Sequence, residues 1–227
     1  MMLCGLYPST ENSFSSFNER TKFMGNIGIY GGTFDPIHFG HLNMALELME
    51  LCQLEEVWFC PTRLSPHKQD NSLPAFHRLE MLKLALNDIS NFRILTLEIY
   101  REGPSYTIDT IKTLLKEEHL STSARKLYLM LGEDHLPHFE KWHKVEEIIQ
   151  LVPLLIAKRQ GKSPSPYSQK KVIKQAIEKG LQETGIMEIS ATNIRKRLKK
   201  GLYCGHLLPQ KVLDYIYQNQ LYCTSSQ

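Results

Sequence analysis

Nowhere in this 227-residue chain does an apolar run approach the roughly 18 residues that a membrane-crossing helix needs, which excludes a helical span. Cysteine is sparse and scattered. Cys4, Cys52, Cys60, Cys204 and Cys223 form no C-x-x-C pair and are odd in number. That spacing argues against a disulfide framework and a zinc–cysteine site, and it fits a reduced, cytoplasmic setting. Charge of one sign is also lacking. The formal net charge is only +3 and is spread along the chain. It makes no case for a DNA or RNA surface, yet it is compatible with small anionic ligands. No internal repeat and no domain-sized linker interrupts the chain. What remains is ordinary for a folded domain: 42% hydrophobic and 22% charged residues, enough to bury one good core.

The first 23 residues differ from the rest. They are rich in Ser, Thr and Asn (Ser9, Thr10, Asn12, Ser13, Ser15, Ser16, Asn18) and carry no basic-then-apolar leader pattern. Residues 1–23 therefore read as a poorly ordered extension, 24–222 as the domain and 223–227 as a tail. Met24, just ahead of the first apolar run, is a candidate initiator.

Strand and helix patterns alternate from there. Apolar runs predict strands at 27–30, 57–60, 94–99, 127–131, 152–157 and 187–189. Helical spacing predicts helices at 44–54, 75–86, 106–116, 168–179, 191–200 and 209–218, with 158–166 a loop. Such alternation predicts an α/β fold: a Rossmann-like doubly wound parallel sheet in a single domain with a C-terminal helical segment. In these sheets ligands bind beyond the carboxyl ends of the strands.

Residues 31–41, GGTFDPIHFGH, occupy that position, between an apolar run and the helical LNMAL. A strand–turn–helix unit aims unpaired backbone N–H groups and the positive end of a helix dipole at one point, a ready anion site. His38 and His41 bracket Gly40 there, and imidazole N–H groups can hold phosphate oxygens beside the backbone. Gly31 and Gly32 keep side chains out of the way of a polyphosphate. A second anion site is expected where Ile189-Ser190-Ala191-Thr192-Asn193-Ile194-Arg195 opens a helix, with Ser190 as N-cap and Arg195 as cation. Arg197, Lys199 and Lys200 read as a solvated basic face. Between these sites lie a cationic loop ending in His67-Lys68, a Gly103-Pro104 turn with Ser105 or Thr107 as cap, and Gly132 and Asp134 after a strand. Trp142 follows, a flat ring for stacking. His135, His138 and His143 include an H-x-x-H spacing, but without an accompanying Cys or Glu pattern they read as a surface helix rather than a zinc site.

No serine or cysteine sits in a nucleophile elbow, and no paired carboxylates point to hydrolysis. If the attacking group is itself a phosphate, with a second pKa of about 6, it is already ionised and needs no general base. Catalysis then rests on alignment and charge neutralisation.

Residues 31–41 resemble the signature of the adenylyl- and cytidylyltransferases that share a T/HxGH motif. With Phe34-Asp35-Pro36 included they are most similar to bacterial nicotinate-nucleotide adenylyltransferases. The start of the 191–200 helix resembles the same family's ISxTxIRxR motif. Residues 61–68 resemble its loop ending in Pro-Pro-His-Lys, with Ser65 in place of the first proline. GPSYT at 103–107 and an LGxDxLxxFxxW-like stretch at 131–142 are similar as well, as is the closing Leu207-Leu208-Pro209, Val212, Tyr215-Ile216 and Leu221-Tyr222. The likeness spans roughly 27–222.

The resemblance implies adenylyl transfer from ATP to nicotinate mononucleotide by direct in-line attack, with release of pyrophosphate. His38, His41 and Arg195 would be catalytic. ATP would lie against Gly31, Gly32, Thr33, Phe34, Gly40, Gly132, Asp134, Ile189, Ser190 and Thr192. Lys68, Tyr106, Thr107 and Trp142 would hold the mononucleotide. Mg²⁺ would arrive with ATP, held mostly by substrate and water, while Asp134 would accept a hydrogen bond from ribose or help hold the ion. The implied partners are the two small substrates, not nucleic acid or a membrane, and a homodimer is compatible. Three alternatives stay open at this stage. One is preference for the nicotinamide mononucleotide. Another is a relative such as a phosphopantetheine adenylyltransferase or a cytidylyltransferase. The third is a non-catalytic nucleotide-binding or RNA-binding regulator that uses the basic run 195–200.

Overall fold

The computed structural model describes residues 25–64, 72–116, 125–159, 168, 170–185 and 187–223. The readings of 1–23 as an extension, of His67 and Lys68, of most of the 158–166 loop and of the tail beyond Cys223 lie outside the described residues.

Six strands pair side by side: β1 (Asn26–Gly32), β2 (Leu54–Pro61), β3 (Phe92–Ile94), β4 (Leu127–Gly132), β5 (Leu154–Arg159) and β6 (Leu181–Thr184). Their order is β3-β2-β1-β4-β5-β6, and every neighbouring pair is parallel. The order reverses between β1 and β4. That switch point leaves a crevice at the carboxyl ends of both strands. The strands are apolar on both sides, as a sheet covered on both faces requires. Along each strand successive side chains enter opposite layers. Val57 and Phe59 join one apolar cluster while Trp58 and Cys60 join the other. Tyr30, Met130 and Leu155 go with the first cluster; Ile29, Leu129 and Ile156 go with the second.

Four helices cover the first face: α1 (Phe39–Leu51), α2 (Ala75–Leu86), α8 (Ala191–Lys199) and α9 (Gln210–Gln218). The second is covered by α4 (Thr107–Leu115), α6 (Val145–Leu151) and α7 (Lys171–Gly180). Two short pieces complete the chain: α3 (Leu97–Tyr100), and a 3₁₀ turn at Glu133–His135 that runs into α5 (Leu136–Phe139). No helix among the described residues is long and apolar enough to cross a membrane.

The structure corrects several expected elements. The first helix begins at Phe39, not 44, because His38 is extended at its N-cap (φ −149°, ψ 168°). It ends before a left-handed Gln53 (φ 51°), so Leu54 already belongs to β2. The strand expected at 94–99 is only Phe92–Ile94, and the chain then coils into α3. The strand expected at 187–189 does not join the sheet; the sixth strand is the less apolar Leu-Gln-Glu-Thr of β6, paired with β5. The helix expected from 168 starts at Lys171. Tyr106, rather than Ser105 or Thr107, is the N-cap of α4. Ser190 is the N-cap of α8, but its side chain makes no capping hydrogen bond.

Candidate active site

The turn from β1 into α1 is built around an aromatic pin. Phe34 is left-handed (φ 50°), a conformation that a bulky residue holds only when its surroundings enforce it. Its buried ring meets Tyr30 edge-on at 5.4 Å between centroids, Phe59 at 5.6 Å and His41 at 5.2 Å. Gly32 makes room for that ring: a Cβ there would lie 2.9 Å from Phe34 Cζ. Gly31 is different. A Cβ at Gly31 would meet nothing within 4 Å, so its lack of a side chain serves the space in front of the turn and not the packing behind it.

The two histidines stack face to face, with ring centroids 3.6 Å apart and planes 22° from parallel. The backbone N–H of His38 donates to Nδ1 of His41 at 3.3 Å, which leaves the His41 proton on Nε2 as a donor. His38 is only 5% exposed. Burial lowers its pKa to about 4, against a smaller upward pull from the Asp134 charge. It is therefore neutral near pH 7, so no charge on the His38 ring opposes the stack. His38 Nδ1 is buried and, among the described residues, is left without a hydrogen-bond partner of its own. A buried polar atom of this kind calls for a partner, and a bound ligand is one. The first turn of α1 carries no acidic residue to offset its dipole.

The C-terminal third of the chain closes on this turn. The N–H of Phe39 donates to the Leu207 carbonyl at 3.1 Å. Ile189 packs against Gly40, where an added Cβ would lie 3.3 Å from the Ile189 Cβ. Arg195, in the second turn of α8, donates from Nη1 to the Asp35 carbonyl at 2.6 Å, across 160 positions of sequence. The Asp35 carboxylate lies 3.8 Å away, and Nη2 reaches Thr192 Oγ1 at 3.3 Å. The two expected anion sites thus converge on one loop. At Gly132, the end of β4, the Asp134 carboxylate folds back over the glycine, into the space a Cβ would fill. Asp134 itself is exposed, and its charge acts on both His38 and Tyr30.

Of the residues expected to hold the mononucleotide, Tyr106, Thr107 and Trp142 lie on the other flank. Tyr106 and Trp142 are half-buried against the second-face cluster, while Tyr30 and Phe34 beside His41 belong to the first. The Tyr106 ring lies 4.6 Å from that of His143, and Trp142 meets Phe139 edge-on at 5.2 Å and His135 at 6.1 Å. Thr107 is the half-buried first residue of α4. The preceding turn is tied to the loop after β2: Ser105 N–H donates to the Leu64 carbonyl at 3.0 Å, and Arg63 N–H to Ser105 Oγ at 3.2 Å. Beneath it sits a buried carboxylate, Glu98, which accepts from Thr110 at 2.8 Å and whose pKa is raised by burial.

Arg78 escaped the sequence reading. It is 1% exposed and donates to three loop carbonyls: Leu73 at 2.9 Å, Thr33 at 2.7 Å and Arg63 at 3.2 Å. Its one detectable signal is position. An arginine directly before Leu79, on the apolar side of α2, is out of place on a simple amphipathic helix.

A parallel sheet in this order, with a histidine-bearing turn at the switch point and a basic helix start held against it, defines a nucleotidyltransferase of the cytidylyltransferase-like class, and that family's model matches residues 29–197. The chain is 38% identical over 203 residues to the nicotinate-nucleotide adenylyltransferase of Bacillus subtilis (strain 168), covering 88% of this chain and 99% of the relative. It is 41% identical over 208 residues to the probable nicotinate-nucleotide adenylyltransferase of Dehalococcoides mccartyi (strain CBDB1), covering 86% and 96%. The chain belongs to the nicotinate-nucleotide adenylyltransferase family. Among solved structures, the Plasmodium falciparum nicotinic acid mononucleotide adenylyltransferase complexed with NaAD superposes with a TM-score of 0.67 over 87% of this chain and 97% of that one. At 22% identity that likeness establishes the fold.

Proposed function

We propose that the protein joins ATP and nicotinate mononucleotide into nicotinate adenine dinucleotide, releasing pyrophosphate, as a step of NAD biosynthesis. The observation that supports this reading is that the stacked His38 and His41 stand at the α1 N-terminus and that Arg195 from the late helix donates to the Asp35 carbonyl, three residues ahead of His38. The 5′-phosphate of the mononucleotide attacks the α-phosphorus of ATP. The new P–O bond forms as the bond to the β-phosphate oxygen breaks, and pyrophosphate leaves with that electron pair. No proton need be removed from a phosphate already ionised. The backbone N–H groups of α1, the Nε2–H of His41 and the Arg195 guanidinium face the charge that builds on the transferring and leaving phosphates, in a site already organised before reaction. Thr33, Gly31 and Gly32 line the approach, and Ile189, Ser190 and Thr192 border it from α8. Tyr106, Thr107, Trp142 and Lys68 are assigned to the mononucleotide, with Trp142 offering its face to the pyridine ring.

The donor set at the turn, two imidazoles and a guanidinium, suits phosphate and not a hard cation. Among the described residues no group of three or more His, Cys, Asp or Glu is disposed to hold a metal ion. Mg²⁺ would enter with ATP as a substrate complex, and Asp134, whose charge acts on His38, is a carboxylate that would help hold it. It would offset charge on the triphosphate. Cys52, Cys60, Cys204 and Cys223 are free thiols, which supports a reducing, cytoplasmic setting.

The test is pyrophosphate release from ATP and Mg²⁺ with nicotinate mononucleotide, nicotinamide mononucleotide or phosphopantetheine as acceptor. The expected result is the highest kcat/KM with the nicotinate nucleotide. ATP binding without pyrophosphate release from any acceptor would remove the catalytic reading, and a higher kcat/KM with the amide would overturn the substrate.

A further inference from the structure

The last described turn of the chain reaches back into the phosphate loop. After α9, Gln220 is left-handed (φ 51°), its N–H donates to the Tyr217 carbonyl at 3.1 Å, and the Leu221 N–H donates to the Ile216 carbonyl at 2.9 Å. This pair of bonds is a Schellman motif, and the buried Leu221 and Ile216 supply the apolar contact that accompanies it. The motif turns the chain sharply, drives Leu221 into the first-face core and delivers the Tyr222 hydroxyl to Asp35 Oδ1 at 2.6 Å, 187 positions away.

Asp35 is 4% exposed, so its carboxylate needs partners. One oxygen has Tyr222 and the other faces Arg195 at 3.8 Å, while the Asp35 carbonyl accepts from the same guanidinium at 2.6 Å. Burial and the neighbouring carboxylate keep the Tyr222 hydroxyl protonated, always a donor. Arg195, by contrast, is 31% exposed on a long side chain with many rotamers, and Asp35, together with Thr192 Oγ1, restricts it.

We propose that Tyr222 is a positioning residue for adenylyl transfer: its hydroxyl fixes the Asp35 carboxylate, and Asp35 fixes the Arg195 guanidinium at the phosphate site. The inference rests on the reading of Arg195 as a group acting on the triphosphate. Without the hydroxyl, the buried carboxylate must draw Arg195 in to satisfy itself, and the guanidinium is displaced from where charge develops.

The experiment is a double-mutant cycle on the full-length enzyme, with pyrophosphate release from ATP, Mg²⁺ and nicotinate mononucleotide as readout. Tyr222→Phe keeps the ring and the Leu221 anchor. It is expected to lower kcat about tenfold, the scale of one hydrogen bond to a charged group, with KM for the mononucleotide within about twofold. Arg195→Ala is expected to lower kcat about 100-fold, and Tyr222→Phe in that background to add nothing further. Asp35→Asn keeps an acceptor for Tyr222 but removes the negative charge that faces Arg195, and it should behave like Tyr222→Phe in both backgrounds. A wild-type kcat for Tyr222→Phe, a full tenfold loss on top of Arg195→Ala, or a loss matched by the unfolded fraction seen by circular dichroism overturns the proposal. A wild-type enzyme that releases no pyrophosphate overturns the proposed reaction and this inference with it. An active wild type alongside an unaffected Tyr222→Phe removes the role of Tyr222 alone.

Discussion

Acidification will destabilise this fold through His38, and the size of the effect follows from its burial. The folded protein holds His38 neutral down to about pH 4, whereas in the unfolded chain it takes up a proton near its ordinary value of 6.5. Between those two points the unfolded state binds more protons, so stability falls as the pH drops. The contribution is fully present above about 6.5, and it is lost progressively towards about 4. The separation of the two values corresponds to roughly 3 kcal/mol once both states are protonated, with about 1.4 kcal/mol already lost by pH 5.5 and about 2.5 kcal/mol by pH 4.5. His38→Asn removes the titrating ring. Urea unfolding of both proteins at pH 7.5 and pH 5.5, followed by circular dichroism, isolates the effect, since every other group titrates in both. Wild type should lose about 1.4 kcal/mol more than the variant over that interval. Parallel losses would refute the argument, because they would mean that the ring is hydrated and free to charge in the folded state.

Three further outcomes follow from the same geometry. His41→Ala should reduce kcat at least about 100-fold with an unchanged circular dichroism spectrum, the scale for deleting one preorganised donor; near-normal turnover would remove it from the reaction. Gly31→Ala and Gly32→Ala should separate cleanly. The first has room for its methyl and should melt like wild type, yet lose on the order of 100-fold in kcat/KM by filling the phosphate approach. The second forces the methyl against Phe34 and should be destabilised by about 1–3 kcal/mol in urea, so equal melting temperatures for the pair would contradict these roles. Arg78→Met leaves the Leu73, Thr33 and Arg63 carbonyls without their donor and should lower stability by about 3 kcal/mol; a loss below about 1 kcal/mol would show that water replaces the guanidinium.

The reach of the sequence can be seen by comparing particular residues. The turn at 31–41 was legible because everything that makes it is local: an apolar strand, two glycines, two histidines three apart, and a helical pattern directly after. The parallel α/β architecture was legible for the same reason, since strand and helix periodicities are short-range. The pairing of the early turn with the late helix start was legible only through likeness to a family, not through any spacing. β6 was missed because Leu-Gln-Glu-Thr is too short and too polar to register as a strand; its pairing with β5 makes it one. Arg78 was missed because a charged side chain reads as surface until three carbonyls from two connections, the turn after β1 and the loop after β2, are seen to surround it. The hydroxyl of Tyr222 on Asp35 was beyond sequence altogether. By itself the sequence determined the elements, their faces and the chemistry of the phosphate turn, because those depend on neighbours along the chain. Only the tertiary structure decided the strand order, the burial that keeps His38 neutral and the Asp35 carbonyl and carboxylate that face Arg195, because each arises from groups that meet only after the chain has closed on itself.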